Sequence, residues 1–237
     1  MVAIGASKIR SRILVVDDDT TVVRLLGQAL QGEGYETIFA QDGAGAVEAI
    51  SDQHPALIIL DINLPKVNGF EVCRKVREAS RVPIVFISGR GSDEDKMYAF
   101  RVGADDYVTK PFNVGELMAR VRAVLRRSVP MTDDRSDGVF RYTDLEIDFP
   151  TRHIRYRGRE VSTTPIEFDL LRTLVLNAGK VLTHQRLLNE VWGPEYSDER
   201  EYLRVHLSHL RHKIEPDPNH PQYIQTVPRI GYRFVPL

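Results

Sequence analysis

Leu57-Ile58-Ile59-Leu60-Asp61-Ile62-Asn63-Leu64-Pro65 is an apolar run that ends on a carboxylate and breaks into a loop before Gly69-Phe70. Leu and Ile without polar alternation read as a strand buried on both faces, the pattern of a parallel sheet. Asp61 then stands at the strand's carboxyl end, the edge along which open α/β sheets bind ligands. Taken alone, such an acid is as readily a turn residue as a chemical group.

Working outward, Ile13-Leu14-Val15-Val16 is a short β-branched strand that runs into Asp17-Asp18-Asp19, adjacent acids whose repulsion a cation would relieve. Thr20 or Thr21 can cap the next helix, with Val22, Val23, Leu26 and Leu30 at helical spacing. Further strands are expected over 36–40, over 83–87 with Ser88 at its end, and over 106–109 leading into Lys110-Pro111. Helical segments separate them: one with Val47 and Ile50 inward, one that carries Val72, Cys73 and Val76, and one that contains Met97 and Phe100. A last helix over 115–127 buries Leu117, Val121 and Leu125. This alternation implies an α/β doubly wound, five-stranded parallel sheet with right-handed crossovers and helices on both faces.

Asp17, Asp18, Asp61, Ser88 and Lys110 all then fall at carboxyl ends of strands. Each alone is more often a turn former, but together they carry a chemistry. Carboxylates around one edge make a hard oxygen site suited to Mg²⁺. A hydroxyl and an ammonium beside it would hold phosphate oxygens. The set fits a phosphorylated carboxylate, with Asp61 attacking phosphorus.

At 237 residues the chain exceeds the ~100–150 typical of one domain, so two are expected. Its 42% hydrophobic and 27% charged residues are ordinary for a soluble protein. No apolar run approaches the ~20 residues of a membrane helix, and residues 1–12 lack a signal-peptide core, so a cytoplasmic protein with no membrane association is expected. Cys73, the only cysteine, excludes an internal disulfide and a multi-thiolate metal site, and reads as core filler. With 32 basic against 33 acidic residues, any nucleic-acid partner must be met by a local patch.

Residues 128–138 are polar, acidic and aperiodic, a flexible tether. Beyond them, 145–149 alternates as a half-exposed strand and 153–158 follows as the next arm of a small antiparallel sheet. Thr164-Pro165-Ile166-Glu167 is a compact helix start, Thr183 caps a second short helix, and a third is expected over 198–214. The third has a seam of Leu203, Leu207, Leu210 and Ile214. Tyr202, Val205, His206 and His209 point broadly away from it, and Arg200, Arg204, Ser208 and Arg211 form a stripe on one flank. A solvated face would explain that stripe. The terminal hairpin around Pro228-Arg229-Ile230-Gly231 tips the balance toward a winged helix-turn-helix, whose last helix enters the major groove.

Val15-Val16-Asp17-Asp18-Asp19, Leu60-Asp61-x-x-Leu-Pro-x-x-x-Gly69, Ser88 and Gly103-Ala104-Asp105-Asp106-Tyr107-x-x-Lys110-Pro111-Phe112 resemble the receiver domain of bacterial two-component response regulators. Leu203-Arg204-Val205-x-Leu207-x-x-Leu210-Arg211-x-Lys213-Ile214 and Gly231-Tyr232-Arg233-Phe234 resemble the effector domain of their OmpR/PhoB class. Val191-Trp192-Gly193-Pro194 and Tyr202-Leu203-Arg204 look most like regulators of the Kdp potassium-transport type.

The resemblance implies a receiver over 11–127, a linker over 128–138 and a winged-helix DNA-binding domain over 139–237. It makes Asp61 the phosphoacceptor, Asp17 and Asp18 the acidic pair, and Lys110 the phosphate contact. Mg²⁺ would be held by Asp18, Asp61 and the backbone carbonyl of Asn63. Lys110-Pro111 would be cis, and Ser88 and Tyr107 would be the switch positions. The implied partners are a sensor histidine kinase, double-stranded promoter DNA, RNA polymerase and, on phosphorylation, a second copy of the chain. Arg200, Tyr202, Arg204, Val205, His206, Ser208, His209 and Arg211, with Arg229 and Tyr232 of the hairpin, are the expected DNA contacts.

Two positions depart from the pattern: Arg229 stands one place later than the family's usual wing arginine, and Arg101 replaces an acid that commonly pairs across the dimer with a base at Arg122. Two other readings of the chain stand beside this one. Asp17-x-Asp19-x-Thr21 also fits the nucleophile motif of haloacid-dehalogenase phosphatases, which would make the chain an enzyme. A degenerate receiver would bind DNA whatever its phosphorylation state.

Overall fold

The computed structural model describes residues 11–128, with the side chains of 127 and 128 excepted, and 138–235; most of the expected tether lies outside the described residues. Contacts divide the chain into two compact units, one of Met1–Arg90 with Tyr107–Val121, the other of Gly91–Asp106 with Arg122–Leu237. Among the described residues no helix is long and apolar enough to cross a membrane.

The chain begins as β1 (Arg12–Val16), α1 (Thr20–Gly32), β2 (Glu36–Ala40), α2 (Gly43–Gln53), β3 (Leu57–Asp61) and α3 (Gly69–Ala79). It continues with β4 (Ile84–Ser88), α4 (Asp93–Arg101), β5 (Asp106–Thr109) and α5 (Val114–Ser128). The five strands form one sheet in the order β2-β1-β3-β4-β5. Every residue of β3 and β4 is buried, as strands covered on both faces require. Because β1 pairs with β2 on one side and β3 on the other, the strand order reverses there, and crevices of such sheets open at that point. Val16 pairs with Leu60, so the next residue on each strand, Asp17 and Asp61, emerges side by side.

Three local expectations are corrected. Asp19, not a threonine, caps α1, its side chain accepting from the Thr21 N–H at 2.8 Å. A carboxylate one residue earlier reaches the orphan donors that a hydroxyl within the helix cannot. In α2 Ala46 and Ala49 face the core, while Val47 is 40% exposed, since its face turns away from the neighbouring strands. In α5 Val124 is buried and Leu125 only partly so. Cys73 is fully buried, as core filler should be.

The later part of the second unit starts with an antiparallel sheet of β6 (Val139–Tyr142), β7 (Leu145–Asp148), β8 (His153–Tyr156) and β9 (Arg159–Val161). Next come α6 (Pro165–Leu176), β10 (Leu182–Thr183), α7 (His184–Val191) and α8 (Arg200–Ile214), then the hairpin of β11 (Ile224–Val227) and β12 (Gly231–Phe234). Thr164 and Glu167 form the expected reciprocal capping box on α6, and Thr183 caps α7. The last helix starts at Arg200, because a 3₁₀ turn over Pro194–Tyr196 occupies the chain before it.

The hairpin is fastened to α8 by two side chains. Glu215, which ends the helix, accepts the backbone N–H groups of Gln222, Tyr223 and Ile224 at 2.8, 3.0 and 2.7 Å. Arg211 donates to the Ile224 carbonyl at 2.7 Å and to the Thr226 hydroxyl at 2.9 Å.

Candidate functional site

The sheet's switch point gathers the acids as the sequence pattern requires. Lys110, delivered by the end of β5, reaches back between β1 and β3, with its Nζ 2.8 Å from Asp17 Oδ2 and 2.8 Å from Asp61 Oδ2. The Lys110–Pro111 peptide is cis, and the Lys110 N–H donates to the Ser88 carbonyl at 2.7 Å. Asp17 is fully buried and Asp61 nearly so, whereas Asp18 is exposed. One carboxylate oxygen from each of the three lies within 4.8 Å of the others.

Backbone donors hold the acids in place. The Asp19 N–H donates to Asp17 Oδ1 at 2.9 Å and the Asn63 N–H to Asp61 Oδ1 at 3.2 Å. Gly69 forms the floor of the loop: a Cβ there would lie 2.2 Å from the Asp61 carbonyl oxygen, so no larger residue fits without moving the backbone that carries the acid.

Burial pushes the Asp17 carboxyl above its usual range, although Lys110 and the Asp19 N–H pull the other way. For Lys110 burial alone would lower the ammonium's pKa, but hydrogen bonds to Asp17 and Asp61 outweigh it and raise the pKa. The pocket thus holds one firm cation between two acids, with an exposed third acid beside it. All the available donors are hard oxygens, which suits a small divalent cation and not a thiophilic one.

Ser88 is fully buried at the end of β4, its Oγ accepting the Arg90 N–H at 3.1 Å. Tyr107 is buried, and its hydroxyl donates to the Arg90 carbonyl. Both expected switch residues therefore converge on the backbone of Arg90, a residue the sequence did not single out. Asp17, the nucleophile of the phosphatase reading, is held by the Asp19 N–H and Lys110 much as Asp61 is held by the Asn63 N–H and Lys110.

The expected DNA contacts separate into two groups. Arg200, Arg204, Ser208 and Arg229 are exposed and His209 is half-buried. Tyr202, Val205 and His206, expected to point outward, are 3%, 5% and 1% exposed. Within the second unit their face of α8 packs among aromatic rings. The Tyr202 ring lies 4.3 Å from that of Phe100 and 6.1 Å from that of Tyr196, and the His206 ring lies 5.4 Å from that of Trp192. The reason is that α8 carries two apolar faces, and a Tyr, a Val and a His at helical spacing bury as well as a leucine seam once aromatic partners meet them.

Two further expected contacts have partners within the domain. Arg211 is engaged with the hairpin through the bonds given above. Tyr232 is 6% exposed, packed edge-on against His184 with ring centroids 5.5 Å apart. Both side chains therefore help hold the hairpin and helices of this domain together.

Reasoning from sequence also missed a second polar cluster. The capping role accounts for only one contact of Glu167: its carboxylate accepts from the Thr164 N–H at 2.9 Å and from Lys213 at 2.6 Å, and lies 3.4 Å from His209 Nδ1. Burial would raise its pKa, but His209, Lys213 and the Thr164 N–H bring it down to about 2. The signal available was Lys213, four residues after His209 and hence on the same side of the helix.

Comparison with known proteins agrees with this anatomy. Residues 13–122 match the model of the response regulator receiver domain, and residues 158–234 match that of the C-terminal domain of transcriptional regulatory proteins. The chain is 42% identical over 225 residues to the KDP operon transcriptional regulatory protein KdpE of Escherichia coli K12, covering 95% of this chain and 99% of that protein. It is 41% identical over 227 residues to the DNA-binding response regulator MtrA of Mycolicibacterium smegmatis, covering 96% and 98%. Among solved structures, the Thermotoga maritima OmpR/PhoB homologue DrrB matches with a TM-score of 0.52 at 31% identity over 96% of this chain and 100% of that one. A RitR mutant matches with a TM-score of 0.75 at 27% identity over 94% and 98%.

Proposed function

Because the chain belongs to the two-component response regulators of the OmpR/PhoB class, with a receiver domain and a DNA-binding transcriptional regulatory domain, we propose that Asp61 is its phosphoacceptor and that phosphorylation controls its binding to promoter DNA. The observation that carries this is Lys110 held 2.8 Å from both Asp17 and Asp61 at the sheet's switch point. In the reaction an Asp61 oxygen attacks the phosphorus of a sensor kinase's phosphohistidine. The P–N bond breaks as the O–P bond forms, and the imidazole leaves with its electron pair.

Lys110, already charged, follows the new phosphoryl oxygens. Ser88 offers its hydroxyl from the neighbouring strand end, and Tyr107 ties that change to the Arg90 backbone. Asp18, Asp61 and the Asn63 carbonyl would hold Mg²⁺, which when bound neutralises charge on the transferring group. The hard-oxygen donor set fits that ion.

We read 11–127 as the phosphoacceptor domain, 128–138 as the tether and 139–237 as the DNA-binding domain, acting as a homodimer on promoter DNA with RNA polymerase as the downstream partner, in the cytoplasm. On α8 we read the exposed Arg200, Arg204 and Ser208 as DNA-facing side chains, with Arg229 on the hairpin turn, whereas His209 is turned toward Glu167. Intact-mass measurement after incubation with acetyl phosphate and Mg²⁺ tests the phosphoacceptor. Wild type should gain one phosphoryl group and Asp61→Asn none; equal labelling of the variant would move the nucleophile to Asp17 and restore the phosphatase reading.

A further inference from the structure

The cluster around Glu167 lies outside the phosphoacceptor pocket and is more elaborate than a helix cap needs. His206 and His209 are three residues apart on α8, so their imidazoles share one side of the helix. Glu167 faces them from the first turn of α6. One ligand atom from each of Glu167, His206 and His209 lies within 4.8 Å of the others. We propose that these three side chains form a binding site for a zinc-class transition-metal dication, clamping α6 to α8.

Three features support a metal over a bare ion pair. The first is the separation of His209 Nδ1 from Glu167 Oε1, 3.4 Å. That is beyond the ~2.7–3.2 Å of a good N–H···O bond. It matches the roughly 3.3–3.5 Å between two ligands of one tetrahedral ion with bonds of ~2.0–2.2 Å. The second is the division of labour on the carboxylate. Thr164 N–H and Lys213 both take Oε2, at 2.9 and 2.6 Å, and leave Oε1 to the imidazole side. Metal-binding carboxylates are oriented in this way by bonds to their other oxygen.

The third feature is composition and access. Two imidazoles and one carboxylate select Zn²⁺, Co²⁺ or Ni²⁺ over Mg²⁺ and Ca²⁺, the opposite preference to the oxygen-only pocket. Three protein ligands leave a fourth position for water. The His209 side chain, 24% exposed, gives the ion a way in beside a groove lined in part by Glu201, Arg204 and Ser208. Of the cations nearby, Lys213 bonds the carboxylate itself and stays on the far oxygen, while Arg101 and Arg204 line the adjoining groove.

An untagged full-length chain in excess Mg²⁺, which fills the oxygen pocket, is titrated with Co²⁺ by equilibrium dialysis and visible absorption. The site predicts one Co²⁺ per chain with the intense d–d bands of a low-coordinate N/O site, displaced by Zn²⁺. His209→Gln, at a partly exposed position that should fold normally, weakens this binding at least about tenfold. Asp18→Asn, in the other pocket, leaves it unchanged. Absence of Mg²⁺-resistant Co²⁺ binding, or unaltered affinity in His209→Gln, overturns the proposal.

Discussion

Among the described residues, the carboxylate–ammonium cluster at the sheet's switch point and the one around Glu167 are built to opposite ends. In the acidic pocket one lysine is shared by Asp17 and Asp61, with exposed Asp18 alongside. Around Glu167 the proportions are reversed: one carboxylate accepts from Lys213 and a backbone N–H, with the His209 imidazole beside it. The consequence shows in their proton affinities, since the Asp17 pKa is raised and that of Glu167 falls to about 2. An excess of acid is costly to hold and ready for a cation or a phosphoryl group. An excess of donors stabilises what is already there.

The largest effect expected from this contrast is on stability. Glu167→Gln, measured by urea unfolding of the metal-free protein at neutral pH, should cost about 3 kcal/mol, because the carboxylate's partners remain buried while its charge is gone. Asp17→Asn should change stability by less than about 1 kcal/mol, because the lost Lys110 contact is offset by relief of a poorly solvated charge. Equal losses in the two variants would erase the distinction.

The pH dependence sharpens it. The carboxyl of Glu167 falls from 4.5 to about 2 on folding, so its contribution is complete above pH 4.5 and disappears as pH drops toward 2. Asp17, with its pKa raised, works the other way and favours the fold as it takes up its proton. Wild type should therefore lose up to about 3 kcal/mol more than Glu167→Gln between pH 5 and 2. Parallel acid profiles for the two proteins would show that Glu167 is not the group responsible.

The smallest effect concerns Arg211, a donor that belongs to neither cluster. If its guanidinium braces the hairpin, Arg211→Met should destabilise the free protein by about 1–2 kcal/mol before any DNA is added. Arg204→Met, which removes an exposed side chain paired with Glu201, should change stability by less than about 0.5 kcal/mol. A melting temperature for Arg211→Met equal to that of wild type would return this residue to a pure phosphate-contact role.

The part of the molecule that could be read from residues alone is the part governed by short-range rules. Leu57–Asp61 and Ile84–Ser88 announce buried parallel strands through unbroken apolar runs, and the register of such strands places Asp17 beside Asp61. The Thr164–Glu167 capping box is equally local. What escaped is what depends on partners distant in the chain. Tyr202, Val205 and His206 have the spacing of an outward face, and only Phe100, Trp192 and Tyr196, supplied from elsewhere, make that face interior. Arg211 was ambiguous for a different reason: a guanidinium suits a phosphate and a backbone carbonyl equally well.

The anchoring of Glu215 to three successive amides has a mechanical corollary. With the helix end gripping Gln222, Tyr223 and Ile224, and Arg211 gripping Ile224 from one turn earlier, the spacing between α8 and the hairpin is set like that of a caliper locked before measurement. A locked caliper does not adjust its jaws to the object. On the proposed docking of α8 and the hairpin, the duplex supplies the matching groove geometry, so sequences that bend or narrow easily gain an advantage at base pairs no side chain touches.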